Sequence, residues 1–579
     1  MRIINGIPAS GGFVGGKALL YQHHHFEAVK QKIEPDCAEK ELKALDDAFK
    51  SCIANTEKLL NTINEKEQKE IVETHLIMLQ DPEYNEEIKG AISIRFLNAC
   101  WAVESVTSNL VATLQASDVE MIRERAVDFL EISELLIGEL SNVKRPTLSN
   151  LDEDVILIAD SILPIEMLTL DRKHVKAIGL DTGGRTSHVA IFARSLNIPT
   201  ILGLGNASVK AHNGDEVLVN GNDGRLTIRP EWNVSRYFEE MKAIYQLHVD
   251  ELKDIASFPS VSKDGREYTL RANIETVDEI PSAIERGADG VGLFRSEFLY
   301  LQKLGAPPNE EEQFEAYKKV LVGMDGRPVT IRTIDVGGDK AVKGMGISEE
   351  NPILGWRAVR FCLERKDIFR IQLRALLRSS LYGQLHIMFP MISGIDELDG
   401  VLFILEQVKQ ELRSAKTPFD ENVKIGTMIE VPSAALISDE LAKKVDFFSI
   451  GTNDLIQYTI AVDRGNEKIA YLYQPFHPGV LRLIKMVIDN AHKANIPVGM
   501  CGEMAGDPFS SVLLAGLGLD EFSMSPSALL EVRKILRETS FKEAQAFAAH
   551  CLTFNSSKKI DKFIREWMHD RFDHIPTIG

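Results

Sequence analysis

Between about residue 265 and residue 525 the chain alternates short apolar runs with longer stretches of helical spacing. The runs are Tyr268-Thr-Leu-Arg-Ala-Asn, Gly290-Val-Gly-Leu-Phe-Arg, Val329-Thr-Ile-Arg-Thr-Ile-Asp, Leu385-His-Ile-Met-Phe-Pro-Met, Lys424-Ile-Gly-Thr-Met-Ile-Glu, Phe447-Phe-Ser-Ile-Gly-Thr-Asn-Asp, Val498-Gly-Met-Cys-Gly-Glu and Glu521-Phe-Ser-Met-Ser. Near-continuous apolar runs read as strands covered on both faces, and intervening helices make their pairing parallel. Eight such β/α units predict a (β/α)8 TIM-type barrel over residues 262–579. In that architecture the C-terminal ends of the strands converge on one site. Here they carry Asn273, Arg295, Asp335, Glu430, Asn453, Asp454, Cys501 and Ser525.

The first half has a different texture. Residues 1–22 read as β structure, and short β runs return within 146–229, at Asp154-Val-Ile-Leu-Ile-Ala, Val175-Lys-Ala-Ile-Gly-Leu, Thr200-Ile-Leu-Gly and Glu216-Val-Leu-Val-Asn. Residues 23–145 keep a helical period instead, with Leu42, Leu45, Phe49, Cys52 and Ile53 on one stripe and Ile71, His75, Met78 and Leu79 on another. Asp81-Pro82 marks a helix start. The expectation is an α/β domain built from 1–22 and 146–229 with a helical bundle inserted, then a charged helical linker over 230–261.

Within that domain, Asp181-Thr-Gly-Gly-Arg-Thr-Ser-His188 precedes a helical stripe of Val189, Phe192, Ala193 and Leu196. The hydroxyl residues after the glycines suit a helix cap. His188 then falls in the first turn, off the apolar stripe, where free N–H groups and the helix dipole would stabilise a phosphate on its ring. Taken alone, it reads equally well as a surface histidine near a cap.

Charge and cysteine usage narrow the class. A formal net charge of −19 disfavours a nucleic-acid or anionic-membrane binder. No apolar stretch approaches membrane-spanning length, and the start has no signal-peptide pattern. Six scattered cysteines without a CxxC pair fit reduced thiols in a cytoplasm, with neither a disulfide frame nor a zinc site. In the barrel, Arg295, Arg332, Arg357 and Arg464 are forked donors for carboxylate and phosphate oxygens, although any one of them taken singly reads more readily as a solvated or salt-bridged side chain. Glu430 and Asp454, on the ends of the fifth and sixth runs, suit Mg2+, which takes few protein ligands plus substrate oxygens. Cys501 is either a proton donor at the rim or a small buried apolar residue.

The residues resemble a known family. Gly183-Gly-Arg-Thr-Ser-His188, with Ala193-Arg194 and Ile198-Pro199, is similar to the phosphohistidine segment of phosphoenolpyruvate-utilising enzymes. Gly292-Leu-Phe-Arg-Ser-Glu-Phe-Leu, Arg332-Thr-Ile-Asp-Val-Gly-Gly-Asp-Lys340, Asn351-Pro-Ile-Leu-Gly-Trp-Arg357, Phe448-Ser-Ile-Gly-Thr-Asn-Asp-Leu-Ile-Gln-Tyr458 and Ala461-Val-Asp-Arg-Gly-Asn466 look like the enzyme I family of the bacterial phosphoenolpyruvate:sugar phosphotransferase system. The resemblance implies that His188 takes the phosphoryl group from phosphoenolpyruvate and passes it to a histidine of the carrier protein HPr. It implies Arg295 and Arg332 on the phosphate, Asn453 and Arg464 on the rest of the substrate, Arg357 and Asp454 within the same substrate site, Glu430 and Asp454 on Mg2+, and Cys501 as the proton donor that makes pyruvate. It further implies a bundle that docks HPr, a homodimer through the barrel, a cytoplasmic location, and a rigid-body swing of the histidine domain through the linker.

Some positions depart from that pattern. Val189-Ala190 stand where the family often has hydroxyl residues, and Leu163-Pro-Ile-Glu-Met167-Leu stands upstream, leaving Thr169 as the candidate hydroxyl for tuning His188. Two other classes share features with the chain. A pyruvate,phosphate dikinase or phosphoenolpyruvate synthase needs a nucleotide-grasping domain ahead of the histidine, and no glycine-rich phosphate loop is present there. A non-catalytic scaffold would have no use for the full set of strand-end side chains.

Overall fold

A computed structural model describes residues 1–21, 30–60, 66–115, 120–141, 151–162, 170–183, 198–301, 307–337, 351–464 and 469–572, with Leu148, Glu166, Met167, Val189, Ala193 and Asn466 as isolated positions. The chain is mixed α/β and divides into two compact units, one built on Met1–Gln246 and the other on Leu247–Ile575.

In the first unit eight strands form a sheet among the described residues: β1 (Arg2–Asn5), β2 (Ile7–Ser10), β3 (Phe13–Tyr21), β4 (Val155–Ala159), β5 (Val175–Leu180), β6 (Thr200–Leu202), β7 (Glu216–Asn220) and β8 (Arg225–Ile228). Their order is β1-β8-β7-β3-β4-β5-β6-β2. The central strands β3 to β6 run parallel, and the outer pairings are antiparallel. Sequence chemistry decides this placement. All of β4, Val-Ile-Leu-Ile-Ala, is buried, as expected of an apolar run with both faces covered. The β7–β8 turn closes at Gly224 (φ +70°), where a side chain would strike the Gly6 carbonyl.

Between β3 and β4 lies the helical stretch, with helices Ala38–Leu60, Lys66–Leu79, Pro82–Ser93, Ala99–Gln115 and Glu120–Leu140. They share a core of their own around Leu45, Phe49, Ile88, Val103 and Leu136. The Asp81 carboxylate caps the third helix by accepting from the N–H groups of Glu83 and Tyr84, at the boundary that Asp81-Pro82 predicts. His75 lies on the buried stripe as expected, its Nε2 at 3.2 Å from Glu131. No helix among the described residues is long and apolar enough to cross a membrane.

The second unit holds a closed parallel barrel: β9 (Thr269–Ile274), β10 (Val291–Arg295), β11 (Val329–Arg332), β12 (Leu385–Phe389), β13 (Lys424–Ile429), β14 (Phe447–Ile450), β15 (Val498–Met500) and β16 (Glu521–Met524). The ring closes where Phe522 of β16 pairs with Leu270 of β9. All eight strands fall on the predicted runs. Two runs overshoot. β14 pairs with β15 only from Phe448 to Ile450, after which Gly451 starts the helix Thr452–Ile460. Asn453 and Asp454 therefore sit on a first helical turn rather than on a strand. Glu503 likewise opens a short 3-10 turn, Glu503–Gly506. The predicted linker region contains the helix Trp232–Asp254, and the division between the units falls within it.

His386 on β12 gives the barrel a pH dependence. Burial and the nearby charges of Arg271 and Lys424 push its imidazole down to about 4 from an ordinary 6.5. The folded state therefore resists protonation, so its contribution to stability is whole above pH 6.5 and is lost as pH falls from 6.5 toward 4. His386→Phe, which keeps a ring against Phe447, is expected to flatten the fall of the barrel's thermal midpoint over that window. An unchanged acid slope would exclude the histidine as its source.

Candidate active site

The mouth of the barrel is assembled from short segments just past the strand ends, each aimed by a local backbone feature. Arg332 is the last residue of β11 and is almost wholly buried. One terminal nitrogen pairs with Glu297, and the other lies 3.1 Å from Asp335 Oδ2. Arg357 is buried as well, at the N-cap of the helix Ala358–Glu364. Its Nη2 donates to both Asp335 oxygens at 3.0 and 3.1 Å, and its Nη1 donates to Asp454 Oδ1 at 3.2 Å. The result is a line of alternating charge, Glu297–Arg332–Asp335–Arg357–Asp454. Burial alone would lower the pKa of each guanidinium, but the adjacent carboxylates outweigh it and hold both above the ordinary arginine value.

Glu430 follows β13 directly and is buried. Its Oε1 accepts the Met391 N–H at 2.6 Å, and Met391 holds a left-handed backbone (φ +57°) that costs energy for a bulky residue. Burial first, then the charges of Asp454 and Asp335, push the Glu430 carboxyl well above the usual range, against the opposing pull of Arg332 and Arg357. Across from it, Gly451 leaves no room for a side chain, since a Cβ there would lie 2.8 Å from Glu430 Oε2. Among the described residues no three His, Cys, Asp or Glu side chains are grouped as a metal cage.

Cys501 follows β15 and is buried with Leu293, Met388 and Met428 inside the barrel. Burial raises its thiol to about 11, with Ser449, Arg332 and Arg295 pulling down and Glu430 pushing up. Cys501 packs as a buried apolar group and lies within electrostatic reach of Arg332 and Glu430. Asn273 braces this strand end, its Nδ2 donating to the Cys501 carbonyl at 2.9 Å.

The other predicted residues are arranged more loosely. Arg295 is half-buried and pairs with Glu275. Asn453 makes a reciprocal pair with Glu503: its Nδ2 donates to Glu503 Oε1 at 3.1 Å, and its Oδ1 accepts the Glu503 N–H at 3.0 Å. Arg464 is exposed, its backbone N–H held by Gln457 Oε1 at 3.0 Å and its charge acting on Tyr473. In the first unit, Met167 is buried and Val189 half-buried against the sheet core, while His188, Ala190, Leu163 and Thr169 lie outside the described residues, as does Lys340.

Three participants carry a sequence signal that was not assigned a role. Glu297 lies two residues after Arg295 in the same run, where a buried acid has to answer a buried cation. Asp335 was visible only as a strand-end acid. Tyr458 lies four residues after Asp454, one helical turn on, and its hydroxyl donates to the Ile353 carbonyl at 2.6 Å while accepting from Arg357 Nη1 at 3.4 Å.

Residues 249–541 match the family described as PEP-utilising enzyme, PEP-binding domain; residues 5–125 match its N-terminal family and residues 151–224 its mobile domain. A phosphoenolpyruvate-protein phosphotransferase of Bacillus subtilis (strain 168) is 42% identical over 574 residues, covering 98% of this chain and 100% of that protein. One from Listeria innocua serovar 6a is 41% identical over 572 residues, covering 97% and 99%.

Proposed function

This chain belongs to the phosphoenolpyruvate-protein phosphotransferases among the PEP-utilising enzymes, and from that premise we propose how its own residues divide the work. The barrel mouth takes phosphoenolpyruvate, His188 receives its phosphoryl group, pyruvate leaves, and the phosphohistidine hands the group to a histidine of HPr. The observation that carries this reading is the meeting, at one barrel mouth, of two buried arginines, the buried Glu430 within reach of the half-buried Asp454, and a thiol held protonated.

Each group has a task that its environment suits. Arg295 and Arg332 bind the phosphate, Asn453 and Arg464 bind the rest of the substrate, and Arg357 and Asp454 complete the same substrate site, joined by the hydrogen bond between them. Phosphoryl transfer is chiefly positioning and charge neutralisation, which fixed guanidinium forks supply at no reorganisation cost. The bond from phosphorus to the enol oxygen breaks and a bond to the His188 ring nitrogen, Nε2, forms. The enolate carbon then takes the Cys501 Sγ proton, and the thiolate recovers a proton from water. A thiol whose pKa is raised to about 11 still carries that proton at neutral pH, which is the state a donor needs.

Glu430 and Asp454 fit Mg2+. The buried Glu430 carboxyl resists ionising beside Asp454, and a divalent cation would relieve that repulsion. Hard oxygen donors, few in number, leave positions for phosphate and water. When bound, the ion supplies neutralising charge to the substrate's phosphate and enolate oxygens. The inserted helices serve as the HPr dock, the barrel as a homodimer contact, and the cytoplasm as the site of action.

Mass spectrometry after treatment with phosphoenolpyruvate and Mg2+ tests this reading through an acid-labile phosphate on the peptide Asp181–Arg194. His188→Ala is expected to abolish that uptake with the barrel still folded, and labelling of the variant would refute the assignment. Cys501→Ala is expected to fold and to lose pyruvate production by about 10²- to 10⁴-fold; near-normal turnover would remove its role as donor. Arg464→Ala should chiefly raise the apparent KM for phosphoenolpyruvate, and an unchanged KM would count against that contact.

A further inference from the structure

Resting on the reading that the barrel mouth binds phosphoenolpyruvate, we infer that Asp335 is a positioning residue whose one carboxylate sets the separation and orientation of Arg332 and Arg357. Both guanidinium groups converge on it. Arg332 Nη1 lies 3.1 Å from Oδ2, while Arg357 approaches Oδ1 from Nε at 3.3 Å and from Nη2 at 3.0 Å. Two like charges this close and out of water repel each other strongly unless an anion lies between them. The shared carboxylate is that anion.

The backbone fixes the carboxylate, and the arginines conform to it. Thr333 N–H donates to the Met388 carbonyl at 3.0 Å, and Ile334 N–H donates to Gln372 Oε1 at 2.9 Å, which pins the approach to Asp335. Just past it, Gly337 has φ +101°, and a Cβ there would lie 2.7 Å from Arg357 Cβ. Ala358, also left-handed (φ +51°), donates its N–H to the Val336 carbonyl at 3.0 Å. The segment around Asp335 is therefore stitched to β12, to Gln372 and to the residue after Arg357. Forks held this way meet the anionic substrate with their orientation already set, and that spares the ordering cost of binding.

The experiment uses the full-length chain with phosphoenolpyruvate and Mg2+, measuring pyruvate release. Asp335→Asn is expected to raise KM for phosphoenolpyruvate tenfold or more with a smaller fall in kcat, and to leave the Mg2+ concentration for half-maximal rate within threefold. Because Asp335 acts through the arginines, adding Asp335→Asn to Arg357→Gln should cost less than threefold beyond Arg357→Gln alone. An unchanged KM, or fully multiplicative losses in the double variant, would overturn the inference. So would a rise in the Mg2+ requirement at constant KM, which would make Asp335 a cation ligand. If the asparagine variant fails to fold, Asp335→Glu keeps the charge and displaces it, and a wild-type KM in that variant would overturn the inference equally. Wild-type protein that releases no pyruvate would overturn the reading of the site itself, whereas active wild-type protein with an indifferent Asp335→Asn would overturn this inference alone.

Discussion

The barrel mouth depends on burying positive charge. Arg332 and Arg357 are removed from water inside a protein whose net charge is −19, and each is tolerable only because carboxylates meet it at contact distance. Losing one member of such a pair leaves an uncompensated buried charge, a penalty of about 3–5 kcal/mol. That constraint explains why acids with no obvious chemical task, Glu297 and Asp335, lie at the centre of the mouth. It also explains the unusual backbone around them, since Met391 and Ala358 both hold left-handed conformations while donating N–H groups that fix the loops. The strain stored there is offset by the rigidity of the barrel beneath.

The same low-dielectric setting gives neighbouring groups opposite tendencies. The Cys501 thiol stays protonated because burial outweighs the arginines that would favour its thiolate. Glu430 is pushed toward its neutral form by burial and by Asp454, and the same pair is the proposed seat of a divalent cation, which would favour the ionised form. The proton donor, cation seat and anion-binding forks of the proposed function would all arise from one physical circumstance, the burial of these side chains at the barrel mouth. Phosphoryl transfer calls for that combination, because charge has to be neutralised where it develops and a carbanion-like carbon has to be protonated soon afterwards.

Much of the architecture was legible along the chain. The parallel barrel strands are buried on both faces, so each appeared as a largely apolar run, nearly all of them ending in a polar residue, and all eight were located. The overshoots at β14 and β15 have a simple cause. Gly451-Thr-Asn-Asp and Gly502-Glu continue the polar end of a run without any change of composition, and only the loss of a hydrogen-bonded neighbour marks where the ladder stops. On the helical stripe, His75, Met78 and Leu79 are buried as their period predicts.

The sequence by itself determined the barrel, the mixed sheet interrupted by helices, and many of the side chains brought to the mouth, though not Glu297 or Tyr458. Those follow from local periodicity and from strand ends converging whatever the loop details. Which partner each charged group would take was decided only by tertiary structure. Asp335 sits 22 residues from Arg357 along the chain, and Asp454 sits 97 residues from it, yet all three meet. Pairing of buried charges is set by distances of a few ångströms across a folded barrel, and no period along the chain encodes such a distance.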